Sequence, residues 1–192
     1  MNGKLTKRTL LRLIERCLRE DSSVDIDGFG SFHLDEENRV AFVPSERIRV
    51  FLAYAEEDRA QAKKLYMELQ QAGFEPWMDQ EKLVPGQNWP RAIERAIELS
   101  DFFVGCFSRR SAVKRGHFHC ELRYALDLAG RVPLEDIFLV PIRLDDCEVP
   151  RQIARKMQYV DLFPNWDAGV ERLTKMMFRQ MILRKAGMKL ES

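Results

Sequence analysis

Between residues 50 and 163 short apolar runs alternate with stretches of helical spacing, and few architectures accept that alternation. Arg49–Tyr54, Asp101–Phe107 and Ile137–Ile142 are nearly all apolar, as strands are when a parallel sheet is covered on both faces. Phe74–Trp77 and Gln158–Leu162 are shorter runs of the same kind. Between them, Ala62, Leu65, Tyr66, Leu69 and Ala72 share one helical face and Gly73 follows as a stop. Asn88 can cap a helix with Pro90 in its first turn that buries Trp89, Ile93, Ala96 and Ile97. Asn165 can cap a last helix with Trp166, Val170, Leu173, Met177 and Met181 inward. Strand–helix–strand order with short links predicts an α/β, flavodoxin-like, doubly wound sheet of five parallel strands. Ligands of such sheets bind beyond the carboxyl ends of the strands, here Tyr54-Ala55, Met78-Asp79, Ser108 and Arg143–Asp145.

Residues 1–47 read as a separate appendage, 48–183 as the α/β domain and 184–192 as a polar tail. Leu5, Leu10, Leu13, Ile14, Cys17 and Leu18 form a helical stripe beside six basic residues, including Arg8, Arg12 and Arg16. Val24–Leu34 alternates like one strand, Asp35–Asn38 supplies a turn and Arg39–Val43 a second strand, so a helix plus β-hairpin is expected. A unit of that size needs a docking partner to be stable.

Composition excludes several function classes. Thirty-one basic against 30 acidic residues leave a net charge of +1, so no overall basic excess drives binding to nucleic acid or to an anionic membrane. No apolar run reaches the roughly 18 residues of a membrane span, and the amphipathic start does not read as a secretory signal. The four cysteines, Cys17, Cys106, Cys120 and Cys147, form no CxxC pair, which suits a reduced, cytoplasmic protein. No phosphate-binding glycine motif occurs, so no resident nucleotide cofactor is expected. His117, His119 and Cys120 do not point at one ion when placed on a helix, so no metal site is expected.

Five boxes in order resemble the TIR (Toll/interleukin-1 receptor) family, of the bacterial type. They are Val50-Phe-Leu-Ala-Tyr-Ala-Glu-Glu-Asp58, Gly73–Gly86 with its Pro85-Gly86 loop (the BB loop), Ser100–Ser108, Gly116-His-Phe-His-Cys-Glu-Leu122, and Leu139-Val-Pro-Ile-Arg-Leu-Asp-Asp146. In enzymatic relatives the resemblance implies NAD+ cleavage at the nicotinamide–ribose bond, with NAD+ as a substrate. It implies that Glu121 is the catalytic residue and that Tyr54, Asp79, Trp89, Ser108 and His117 line the substrate site. His117 stands where relatives often carry a larger aromatic residue. The resemblance further implies assembly with other TIR subunits, as a homo-oligomer or filament, and work with a partner protein in anti-phage defence. It equally admits a non-enzymatic adaptor acting through TIR–TIR association.

On the residues alone, two readings of Glu121 stand. It flanks the apolar stripe Phe118, Leu122, Ala125, Leu126 and Ala129, so it borders buried structure. A carboxylate there serves chemistry, or it merely complements the dipole in the first turn of its helix. Tyr54 could equally be core, Trp77 and Trp89 could simply pack, and His117 could face solvent. The first 48 residues are similar in part to HU/IHF DNA-binding proteins, through Asp27-Gly-Phe-Gly-Ser-Phe32 and Phe42-Val-Pro-Ser45. Only residues 33–41 separate those boxes, where that family carries a long basic arm. Dimer formation is therefore the safer transfer, and DNA association ranks last.

Overall fold

The computed structural model describes residues 16–18, 23–26, 30–34, 40–44, 47–82, 86, 88–111, 117–133 and 136–185. The chain divides into two compact units, Met1–Arg47 and Ile48–Ser192.

In the first unit, strands β1 (Ser23–Ile26), β2 (Gly30–Leu34) and β3 (Val40–Pro44) form an antiparallel sheet in that order. Val24 stands opposite Phe32, and Phe32 opposite Phe42. The expected single strand 24–34 is thus two strands folded on each other. Its break falls at a glycine pair, and Gly30 takes φ 133°, a conformation that side-chain-bearing residues rarely adopt. Residues 16–18 are helical. The rest of the basic amphipathic stripe, with Arg8 and Arg12, lies outside the described residues.

The second unit carries β4 (Arg49–Ala53), α1 (Arg59–Gln71), β5 (Glu75–Trp77), the single turn α2 (Asp79–Lys82), α3 (Trp89–Glu98), β6 (Phe102–Phe107), α4 (His117–Ala129), β7 (Leu139–Arg143), the single turn α5 (Arg151–Ala154), β8 (Val160–Asp161) and α6 (Trp166–Lys185). The strands are all parallel, in the order β5-β4-β6-β7-β8. This is the flavodoxin-like order, whose topological switch lies between the first and third strands, here β4 and β6.

Each strand sends alternate side chains to opposite faces. Val50, Leu52, Val104 and Ile142 meet Leu65 and Leu69 of α1 and Leu173 and Met177 of α6. Phe51, Ala53, Phe103 and Leu139 meet Ile97 of α3 and Phe118, Leu122 and Ala125 of α4. The stripes read from sequence are these two cores, except that Trp89 of the α3 stripe is left out of them and exposed. On the second face Phe51 stacks on Trp77 at 4.8 Å and on Phe103 at 5.4 Å.

The helix ends obey local chemistry. The side chain of Asn88 accepts from the Arg91 N–H at 3.3 Å, and that of Asn165 from the Ala168 N–H at 3.1 Å. Gly73 ends the α1 segment at φ 89°. Gly169 is required for another reason. A Cβ there would lie 2.5 Å from the carbonyl oxygen of Asp161, so α6 rests directly on β8. At the amino ends of the strands, the Arg184 guanidinium donates to the carbonyls of Asp101 (3.1 Å) and Ile137 (2.6 Å). At the far edge Arg143 holds Asp161 through two bonds of 2.6 and 2.9 Å. Among the described residues no helix is long and apolar enough to cross a membrane.

Candidate active site

Adjacent strands place Tyr54 and Asp79 together. Tyr54 follows β4 and Asp79 follows β5, and these strands are neighbours. The Tyr54 hydroxyl donates to Asp79 Oδ1 at 2.6 Å. Burial, then the bond to Asp79, raises the Tyr54 phenol well above its ordinary value. Tyr54 is therefore a fixed neutral donor, and Asp79 an oriented acceptor.

Glu121 faces the same space from α4. That helix begins at His117, so Glu121 lies a full turn inside it. The unpaired amides of the first turn are behind it, and the reading of Glu121 as a first-turn dipole partner is corrected. Glu121 is partly buried. Burial, then the charge of Asp79, pushes its carboxyl up to about 8. It gains and loses a proton near neutral pH, which an exposed glutamate does not do.

Tyr54, Asp79, Trp89 and Glu121 line one cavity of about 240 Å³. Phe51, Trp77, Ile93 and Phe118 supply its apolar wall, and Glu56, Glu57, Ser111 and His119 complete it. The described lining holds four carboxyl side chains and no lysine or arginine. Such a space favours a ligand part that is cationic or becomes so.

One expected member stands elsewhere. Ser108 is 1% exposed and is not among the lining residues. Its hydroxyl donates to Asp58 Oδ2 at 2.5 Å and accepts from the N–H groups of Arg110 and Ser111. Ending β6 at a turn consumes that hydroxyl internally. The His117 side chain lies outside the described residues. His119, weighed from sequence only as a metal ligand, does line the cavity. Glu56, Glu57 and Ser111 were also missed, and their one signal was position just beyond the carboxyl ends of β4 and β6. Trp89 is 48% exposed, so the expectation that it merely packs does not hold.

The loop expected at Asp79–Asn88 starts as the helical turn α2, tied to α1 by a Glu81–Lys63 ion pair of 3.0 Å. Residues 83–85 and 87 lie outside the described residues. Cys106 and Cys147 are buried. Burial raises both thiols, Cys147 to about 11, so neither is poised as a nucleophile.

A TIR domain family model matches residues 50–174. The chain belongs to the TIR domain family. Solved TIR structures share its fold at low identity. The TIR domain of the Toll-related receptor TRR-2 from Hydra magnipapillata is 24% identical with a TM-score of 0.52, covering 66% of this chain and 97% of that one. A metazoan TIR-STING receptor from C. gigas, solved with 2',3'-cGAMP, is 20% identical with a TM-score of 0.56; the match covers 69% of this chain and 42% of the receptor. The TIR domains of the activated Roq1 resistosome, which recognises the effector XopQ, are 17% identical with a TM-score of 0.52, covering 70% of this chain and 99% of that one. No curated protein matches the sequence. In this TIR domain the family fold accounts for the sheet order, and a fold alone assigns no chemistry to the cavity.

Proposed function

We propose that this TIR domain cleaves NAD+ at the nicotinamide–ribose bond, as an NAD+ nucleohydrolase or ADP-ribosyl cyclase, with Glu121 as the catalytic residue. One observation carries the reading. Glu121 is a partly buried carboxyl facing a cavity with aromatic walls and no described lysine or arginine, at the switch point of the sheet.

The chemistry needs little more. Nicotinamide leaves a pyridinium as a neutral molecule, so no acid is needed to assist it. Positive charge builds on the ribose as an oxocarbenium-like species. A carboxylate beside the anomeric carbon stabilises that charge, as carboxylates do in glycosidases. Asp79, oriented by Tyr54, adds negative potential and an acceptor for a ribose hydroxyl. Trp89 offers a ring face to the pyridinium. A nearby cation also favours the ionised form of Glu121, so substrate binding promotes loss of its proton.

The reading extends to other TIR subunits as partners, with activation by self-assembly, and to a cytoplasmic role in bacterial anti-phage defence with a partner protein. The test is mass spectrometry of NAD+ incubated with concentrated wild type and with Glu121→Gln. Nicotinamide release by wild type alone is expected. Equal release by both removes Glu121 from the mechanism. Concentration-dependent oligomers without turnover by either would select the adaptor.

A further inference from the structure

The carboxyl groups of the first cavity come from separate elements. Glu121 stands on α4, Asp79 opens α2, and Glu56 and Glu57 lie in the 3-10 turn after β4. Beside it a second cavity of about 200 Å³, bounded by α3 and α4, shares Trp89, Ile93 and Glu121 and adds Glu94. Neither described lining holds a lysine or an arginine. Two described arginines beside the turn are engaged elsewhere. Arg59 is ion-paired with Glu56, and Arg110 Nη1 donates to the Glu57 carbonyl at 3.1 Å.

That lining treats the parts of NAD+ differently. The pyridinium is a cation, and its ribose gains positive charge as nicotinamide leaves, so carboxyl groups favour both. The diphosphate carries two negative charges and only accepts hydrogen bonds, as ionised carboxyl groups do. Near Glu56, Glu57 or Glu94 it meets repulsion between like charges, and repulsion selects among substrates as effectively as attraction. Room points the same way. At about 240 Å³ the first cavity is smaller than the roughly 300–1,000 Å³ of sites that bury a drug-sized ligand. It suits a molecule with less than half the atoms of NAD+.

We infer that the first cavity takes a phosphate-free pyridinium riboside, of which nicotinamide riboside is the simplest, as a substrate in preference to NAD+, and that Glu56 and Glu57 set the preference. The inference rests on the reading of Glu121 as the residue that cleaves a nicotinamide–ribose bond. Where NAD+ carries a phosphate, the riboside carries a 5′-hydroxyl, which donates to a carboxylate. The bond from ribose C1′ to the pyridinium nitrogen breaks, and its electron pair leaves with nicotinamide. A water oxygen forms the new bond to C1′, and its proton passes to the Glu121 carboxylate and on to solvent. Nicotinamide riboside and water thus give nicotinamide, ribose and a proton, with no other reactant.

The test compares kcat/KM for nicotinamide riboside and for NAD+ by nicotinamide release, using the full chain. Wild type should favour the riboside about tenfold or more at low salt. Added salt should narrow the gap from both sides, lowering kcat/KM for the riboside and raising it for NAD+, because screening weakens attraction and repulsion alike. Glu56 is exposed and belongs to neither core, so the fold should tolerate Glu56→Lys. That variant should lower the riboside-to-NAD+ ratio about threefold or more, and with Glu57→Lys added about tenfold or more. A wild type that favours NAD+, or a ratio that neither substitution moves, overturns the inference and leaves NAD+ cleavage standing. Cleavage of the riboside alone supports the inference and removes NAD+ as a substrate. A second measurement needs no turnover: isothermal titration of Glu121→Gln with each compound. The riboside should bind about tenfold or more tighter than NAD+. Equal or reversed affinities, or binding of neither, overturn the inference whether or not wild type cleaves NAD+. Tighter riboside binding without nicotinamide release from either compound by wild type overturns both cleavage readings and leaves a site for the cation.

Discussion

Two buried acids near the carboxyl ends of this sheet have the same origin and opposite fates. Asp58 follows β4 in a short 3-10 turn and is 2% exposed. Burial raises its carboxyl and leaves it raised, although the bond from Ser108, then Arg110, pulls it part of the way back. Glu121 is raised by burial and again by Asp79, and no described residue offers it a hydrogen bond or an ion pair. Asp58 ties the turn after β4 to the end of β6. Glu121 ties nothing and faces a cavity. An acid whose burial is compensated by donors serves the fold, because breaking the set leaves an unpaired buried group. An acid whose burial is uncompensated costs stability, and that cost marks a site used for something else.

The comparison breaks most visibly in activity. Glu121→Gln should lower nicotinamide release about a thousandfold, or ~4 kcal/mol of transition-state stabilisation. A loss of that size in Ser108→Ala instead would exchange the two roles.

The second test is stability against pH. With the folded carboxyl at about 8 and the free one at 4.5, the native state holds the extra proton between those values. Wild-type stability should therefore fall as pH rises from 4.5 to 8. Glu121→Gln lacks that loss. It should gain on wild type across the same window, by about 4 kcal/mol at pH 8, or ~1.4 kcal/mol for each pH unit, read as urea midpoints at several pH values. A constant difference between the two proteins would deny that Glu121 is strained by burial.

Ser108→Ala should act in the other direction. It removes the donor to Asp58 and should destabilise the protein by about 1–2 kcal/mol. The penalty should shrink at acid pH, where Asp58 is protonated. A pH-independent penalty would mean that the hydroxyl serves only the two N–H groups that it accepts.

The smallest expected effect sharpens the role of Glu121. Its ionised form is the active one, so kcat/KM for NAD+ should rise about tenfold from pH 7 to 9 and level off beyond 8, as the free protein loses that proton. A flat profile would place the essential charge on Asp79.

Much of the fold was legible because its signals are local. Unbroken apolar runs marked the parallel strands, spacing of three and four marked the helix faces, and Asn88, Asn165 and Gly73 marked helix ends within a few residues of their partners. The appendage was less legible. Alternation has no direction, so Val24–Leu34 reads equally as one strand or as two folded back at Gly30. In the site, Tyr54 and Asp79 were legible as strand ends of a doubly wound sheet, and Trp89 and Glu121 could be gathered with them only through a family likeness. Ser108 was misplaced for the same reason that it was chosen. A strand end brings a residue near the site, and whether its side chain faces inward depends on what the next turn needs.

In the α/β unit, sequence alone determined the main strands and helices, most of the faces they bury and which family the order resembles. Each of those depends on residues a few positions apart. The tertiary structure decided that Tyr54 reaches Asp79 across 25 positions, that Ser108 is consumed by Asp58 across 50, and that Glu121 is left with two cavities and no described partner. Burial and pairing are properties of where the sheet order brings distant chain segments together, and no local pattern encodes that order.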